Sequence, residues 1–187
     1  YRHNCFQNIK YTKSNKDYPA NLGAYDEKSK RFNKSVLFLL MTSTGVFAAA
    51  GPSDPYVGQA GNKIEADHSV SLTTKDGVAI EVKGDGASFT SDGFDYAKSS
   101  PGNYGNSLIY FADKATGTIK NAKIMTDVDL GHIAVSDAKL HLENVLFTAE
   151  TSSLWGMSNA TITAKDLTIN AHGGNSAISI EAGANFT

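Results

Sequence analysis

Cysteine is almost missing from this 187-residue chain: Cys5 is the only one. Everything after it can form no internal disulfide and no thiolate metal site, so its stability has to come from packing. Arginine stops at Arg31 and proline at Pro101. The first absence removes the usual guanidinium partner for phosphate and carboxylate, and the second leaves every later residue able to donate along a β-ladder. Charge is thin at 19% of residues, against 41% hydrophobic, a balance that favours one packed core over a disordered polyelectrolyte.

The net charge of -2 conceals an asymmetry. Residues 1–50 hold eight Lys/Arg against three Asp/Glu, and residues 51–187 hold nine against sixteen. A net-acidic body is a poor footprint for phosphates, which excludes nucleic acid as a partner. No charge falls between Lys34 and Asp54. That gap begins with Val36-Leu37-Phe38-Leu39-Leu40-Met41, follows Lys28, Lys30, Arg31 and Lys34, and ends in Ala48-Ala49-Ala50-Gly51-Pro52. A positive region, an apolar run and an A-x-A site in that order make residues 28–50 a secretory signal peptide, with Ala48, Ala50 and Gly51 at the cleavage site. Residues 1–27 are polar and aperiodic, an extension expected to be unstructured, and 51–63 form a linker or cap.

The rest repeats. Ala138, Leu140, Leu142, Asn144, Val145, Phe147 and Ala149 return 22 residues later as Ala160, Ile162, Ala164, Asp166, Leu167, Ile169 and Ala171. Gly117, Ile119, Asn121, Ala122, Ile124 and Thr126 precede Leu140 to Ala149 by 23. A shift of 22 also aligns Ile133-Ala134-Val135 with Trp155-Gly156-Met157, and one of 23 aligns these with Ile178 and Ile180, which places Trp155 inward. Ile80-Glu81-Val82 followed by Phe89, Asp92 and Tyr96 is the first unit.

Apolar and polar residues alternate within each unit, the period of a strand. The parity switches at Asn121, Asn144 and Asp166, residues that tolerate left-handed backbone, so a corner is expected there. One such unit cannot bury its apolar face, whereas stacked units can. The expected fold is all-β: a right-handed parallel β-helix over residues 64–187 with rungs of 22–23 residues. Its inward stacks are Ile119/Leu142/Ala164, Ala122/Val145/Leu167 and Ile124/Phe147/Ile169. Residues 95–107 read as an inserted loop, with Tyr96, Tyr104 and Tyr110 as exposed candidates for contact with a partner.

Catalytic and metal chemistry has little to stand on. Asp127, Asp129 and His132 form an incomplete ligand set. His141 and His172 read as solvated, and there is no G-x-S-x-G, H-E-x-x-H or Walker loop. Asp113, Asp137 and Glu143 read as unstacked, so neither catalytic residues, metal nor cofactor is expected, and the chain is read as no enzyme.

With the signal at 28–50, no later cysteine, and units such as Leu140-His-Leu-Glu-Asn-Val-Leu-Phe-Thr-Ala and Ile162-Thr-Ala-Lys-Asp-Leu-Thr-Ile-Asn-Ala, the chain resembles the passenger domain of pertactin-like autotransporters. The resemblance implies export by the secretory machinery, an outer-membrane β-barrel downstream on the same chain, and a place on the bacterial outer membrane, at the cell surface or secreted. It further implies an adhesin or rigid surface scaffold meeting a host or cell-surface glycan or protein. A secreted β-helical polysaccharide lyase or glycoside hydrolase, and a structural repeat spacer with no specific ligand, are the alternative readings.

Overall fold

The computed structural model of the chain describes residues 54–172 and 176–187 and, as backbone, residues 10–13. The signal segment 28–50 and its cleavage residues Ala48, Ala50 and Gly51 lie outside the described residues. Among the described residues every regular element is a strand, and every strand pairing is parallel. The fold is a parallel β-solenoid of about five turns, with rungs about 24 residues apart.

Each rung has three straight segments. The first segments stack as a six-stranded sheet made of β2 (Tyr56–Gly58), β5 (Ile80–Lys83), β8 (Ile109–Ala112), β10 (Ile133–Ser136), β12 (Leu154–Met157) and β14 (Ile178–Ile180). The second segments are β3 (Lys63–Glu65), β6 (Ser88–Asp92), the first halves of β9 (Thr116–Thr126), β11 (Lys139–Ala149) and β13 (Thr161–Ala171), and β15 (Asn185–Phe186). The third comprise β4 (Val70–Leu72), β7 (Tyr96–Lys98) and the second halves of the three long strands. Within the aperiodic stretch 1–27, β1 (Lys10–Lys13) pairs with Thr168–Ala171 of β13, in the third column.

The corner between second and third segments is where the sequence parity switches. Asn121, Asn144 and Asp166 have φ of 52°, 52° and 54°, left-handed backbone that Asn and Asp accept at low cost. Asn side chains also tie the rungs together. Asn144 Nδ2 donates to Asn121 Oδ1 at 2.8 Å, and Asn121 Nδ2 to Asp92 Oδ1 at 2.6 Å.

The three inward stacks hold as read. Leu142 pairs with Ile119 and Ala164, Val145 with Ala122 and Leu167, and Phe147 with Ile124 and Ile169; all are buried except the half-buried Ala164. Toward the N-terminal end, Tyr56, Phe89, Tyr96 and Phe111 fill the interior as edge-on and tilted rings, with centroids 5.3–6.4 Å apart. Gly117 interrupts its inward stack because Phe111 needs the space: a Cβ there would lie 2.5 Å from the ring.

Three details differ from the sequence reading. The solenoid begins at Tyr56, inside the expected linker, since Tyr56–Gly58 pairs with Ile80–Val82 and Lys63–Glu65 with Ser88–Thr90. Residues 96–98 are not part of an insertion, being the third segment of their rung, paired with Ile124–Thr126 and Val70–Leu72. The excursion is Ser99 to Ser107.

The third difference is a register slip. Ile133 pairs with Leu154, and Leu154 with Ile178, so the shift between β10 and β12 is 21 where 22 was expected. The cause is the corner before the long strands. One positive-φ residue, Asp137, turns β10 into β11, whereas two, Ser158 and Asn159, turn β12 into β13. That extra residue absorbs the difference, and a slip of one exchanges the inward and outward sets of a strand.

Candidate functional site

The slip turns Trp155 outward. Leu154 and Gly156 take the inward positions and are buried, while Trp155 and Met157 are half-buried on the outer side. This corrects the inward reading of Trp155. The outward row of the six-stranded sheet runs Glu81, Tyr110, Ala134, Trp155, Ser179 along register partners.

Trp155 lines a cleft of about 570 Å³. One wall is the end of the excursion, Gly105 to Ser107, and the other is built from Ser176, Ser179 and Glu181, with His132 and Ser153 between. The indole lies edge-on to the His132 ring at 5.2 Å between centroids. Ser153 donates its backbone N–H to His132 Nδ1 at 2.9 Å. In the neutral ring the proton is therefore on Nε2, a donor. Burial holds His132 below the ordinary histidine pKa, and the amide donated to Nδ1 is compatible only with the neutral ring, so the ring is neutral at pH 7.

Two further groups set the chemistry of the cleft. The Trp155 indole nitrogen is buried and has no hydrogen-bond partner among the described residues, and Ser179 Oγ donates to the Glu181 carboxylate at 3.0 Å. Ser153 Oγ is spent on the Ser176 carbonyl. Since the imidazole meets the Ser153 amide and not its hydroxyl, the pair is not a nucleophile and base. The cleft brings together an aromatic ring, donors and a carboxylate.

The excursion is tied down. Asp127 accepts from Ser99 Oγ at 2.8 Å and Ser100 N at 2.7 Å. Asp129 N donates to Asn103 O, Gly105 N to Asp129 O, and Asn106 N to Lys75 O, which continues the ladder through the loops. Beneath them Lys98 is 1% exposed, and its ammonium donates to the carbonyls of Lys75, Asn106 and Ser107 at 3.2, 2.5 and 3.2 Å.

The three tyrosines do not form one surface. Tyr96 is fully buried, its hydroxyl 2.7 Å from Ser91 Oγ, and so cannot meet a partner; its place in the third column explains why. Tyr104 is 71% exposed on the excursion. Tyr110 is half-buried on the outward row, with the Lys83 ammonium 5.2 Å above its ring.

Asp127, Asp129 and His132 likewise do not converge. Asp127 holds the excursion, Asp129 accepts from the Thr151 hydroxyl, and His132 faces Trp155. His141 is outward, 2.8 Å from Thr163 Oγ1, and His172 lies 3.7 Å from Glu150. Asp113 and Asp137, read as unstacked, do occupy equivalent corner positions, following the paired residues Ala112 and Ser136, both with positive φ. Glu143 sits elsewhere, between Lys120 and Lys165 of the adjacent rungs at 2.9 and 2.7 Å. Those two ammonium groups, Lys165 foremost, lower its pKa to about 2.

Sequence reading missed His132 and Trp155 as neighbours, because their meeting depends on the corner at Ser158-Asn159. The signal available was the pair Leu154 and Gly156, which alternates in step with Ile133 and Val135 once the shift is 21. No protein-family model, no curated protein and no solved structure matches the chain.

Proposed function

We propose that the chain is a segment of an exported, pertactin-like autotransporter passenger whose solenoid serves as a rigid adhesive scaffold at the bacterial cell surface. The observation that carries this reading is the outer face of the six-stranded sheet. There a strictly parallel ladder fixes an outward row from Glu81 to Ser179, and the row carries Tyr110 and the Trp155 cleft. Loops tied to the ladder hold one wall of that cleft in place. Such a surface presents contacts at fixed spacing without moving parts, which suits attachment. The signal pattern over residues 28–50 supports export, and Cys5 as the sole cysteine means that the solenoid needs no disulfide to form outside the cell.

The test is topological. An epitope inserted at Gly102 of the complete protein, expressed in a bacterium with an outer membrane, should be removed by protease added to intact cells while periplasmic markers survive. Replacing Ala48 and Ala50 with arginine should abolish that exposure. An epitope protected in intact cells and cut only after lysis would overturn the reading.

A further inference from the structure

We infer that the cleft beside Trp155 is a binding site for a short uncharged oligosaccharide. This deepens the adhesive reading above and rests on it, naming the class of ligand that the surface would hold.

Four observations point to that class. The cleft, at about 570 Å³, lies within the range of roughly 300–1,000 Å³ typical of small-ligand sites. A half-buried indole forms part of its lining, and an aromatic face is what the apolar C–H side of a pyranose packs on. The polar groups around it are of both kinds: the Nε2–H of neutral His132 donates, while the Glu181 carboxylate and the Ser179 oxygen, whose proton is given to Glu181, accept. Sugar hydroxyls need this mixture, since each is donor and acceptor at once. The buried indole N–H lacks an acceptor among the described residues, and a ligand hydroxyl would supply one after a small rotation of the ring.

Charge selects among sugars. The lining contains Glu181 and no lysine or arginine, so a uronate or sulfated chain would face a carboxylate with no counter-charge. Lys83, on the same outer face but in the neighbouring row, is engaged by the Glu81 carboxylate and by the Tyr110 ring. For the same reason Tyr110, its ring already capped, is not the platform.

Trp155 is the single tryptophan of the chain, so intrinsic fluorescence reads this site alone. The full chain would be titrated with chitotriose, cellotriose, maltotriose and mannotriose, and with trigalacturonate as the anionic probe. At least one neutral trisaccharide should give a saturable spectral shift, and trigalacturonate should bind at least tenfold more weakly. By calorimetry, Trp155→Ala should lose tenfold or more in affinity and Trp155→Phe less. Tyr110→Ala should stay within twofold, and Glu181→Lys should reverse the preference toward trigalacturonate. Thermal midpoints of all four variants check that they fold.

The proposal fails if none of the neutral sugars perturbs Trp155 at millimolar concentration, if trigalacturonate binds as well as they do, or if Trp155→Ala binds like the unaltered chain. Failure here with the Gly102 epitope exposed on cells would leave a surface scaffold without this ligand. Sugar binding by a protein whose epitope stays protected would instead remove the export reading.

Discussion

Asn144 donates its side-chain amide to the side-chain oxygen of Asn121, 2.8 Å away on the neighbouring rung, while both residues hold left-handed backbone at φ 52°. One side chain thus serves two purposes, turning the chain and linking the turns. Asn144→Gly keeps the turn and deletes the link, so it should cost about 1 kcal/mol. Asn144→Val deletes the link and forces a β-branched residue to positive φ, for a total of about 2–4 kcal/mol. Urea unfolding of the two variants measures the difference, and equal losses would show that the backbone conformation contributes nothing.

Lys98 gives a pH dependence. Burial lowers its pKa to about 8 from the ordinary 10.5, with Asp76 pulling weakly the other way. Between those two values the unfolded chain binds more protons than the folded one, so this group adds stability as pH rises through the window. Lys98→Met, which strands three carbonyl acceptors, should cost about 1–3 kcal/mol at pH 7. The gap in stability between the unaltered chain and the variant should widen between pH 7 and 9.5. A gap that narrows would reverse the assignment.

Gly105 lies so close to the neighbouring loop that a Cβ would come within 2.1 Å of the Lys75 carbonyl oxygen, a backbone atom with little room to move. Gly105→Ala should therefore pull residues 99–107 off the ladder, break the Gly105–Asp129 and Asn106–Lys75 bonds and uncover Lys98. Trypsin should leave the buried Lys98 uncut in the intact fold and cleave after it in the variant. Mass spectrometry of the fragments decides, and resistance equal to that of the unaltered protein would count against the docked loop.

At the other end, the Tyr56 hydroxyl collects the backbone N–H groups of Asp67 and His68 at 3.0 and 2.9 Å. Tyr56→Phe leaves both donors without it, at about 1–3 kcal/mol for the pair. Because the damage is local, amide exchange should quicken in β2 and β3 and stay unchanged in β9, β11 and β13. Uniform acceleration along the solenoid would mean that the first rung is not a separate unit of stability.

The second and third segments of the later rungs were legible in the sequence because one left-handed residue turns each of the three long strands at the same place, so the apolar pattern of Leu140 to Ala149 recurs intact from Ile162 to Ala171. The first segments were less so. Their link to the long strands has one positive-φ residue at Asp137 and two at Ser158-Asn159, and short strands with few apolar residues do not reveal which length applies. Tyr96 was misread for a related reason: the turn formers Ser99 to Asn106 follow so closely that the strand Tyr96–Lys98 was absorbed into the loop. The cleft, which joins Asn106, His132, Trp155 and Glu181 from four rungs, depends on these registers and so was out of reach.

The two-residue corner at Ser158-Asn159 has a consequence for how such a surface can be altered. Corner length acts as a switch for one strand at a time. Adding or removing a residue there exchanges which side chains of β12 meet solvent, yet leaves the Asn ladder and the long strands β11 and β13 in step. A solenoid with corners of variable length can therefore change the residues it displays on one facet by a single insertion or deletion, the repacking of the core being confined to the inward positions of that one strand.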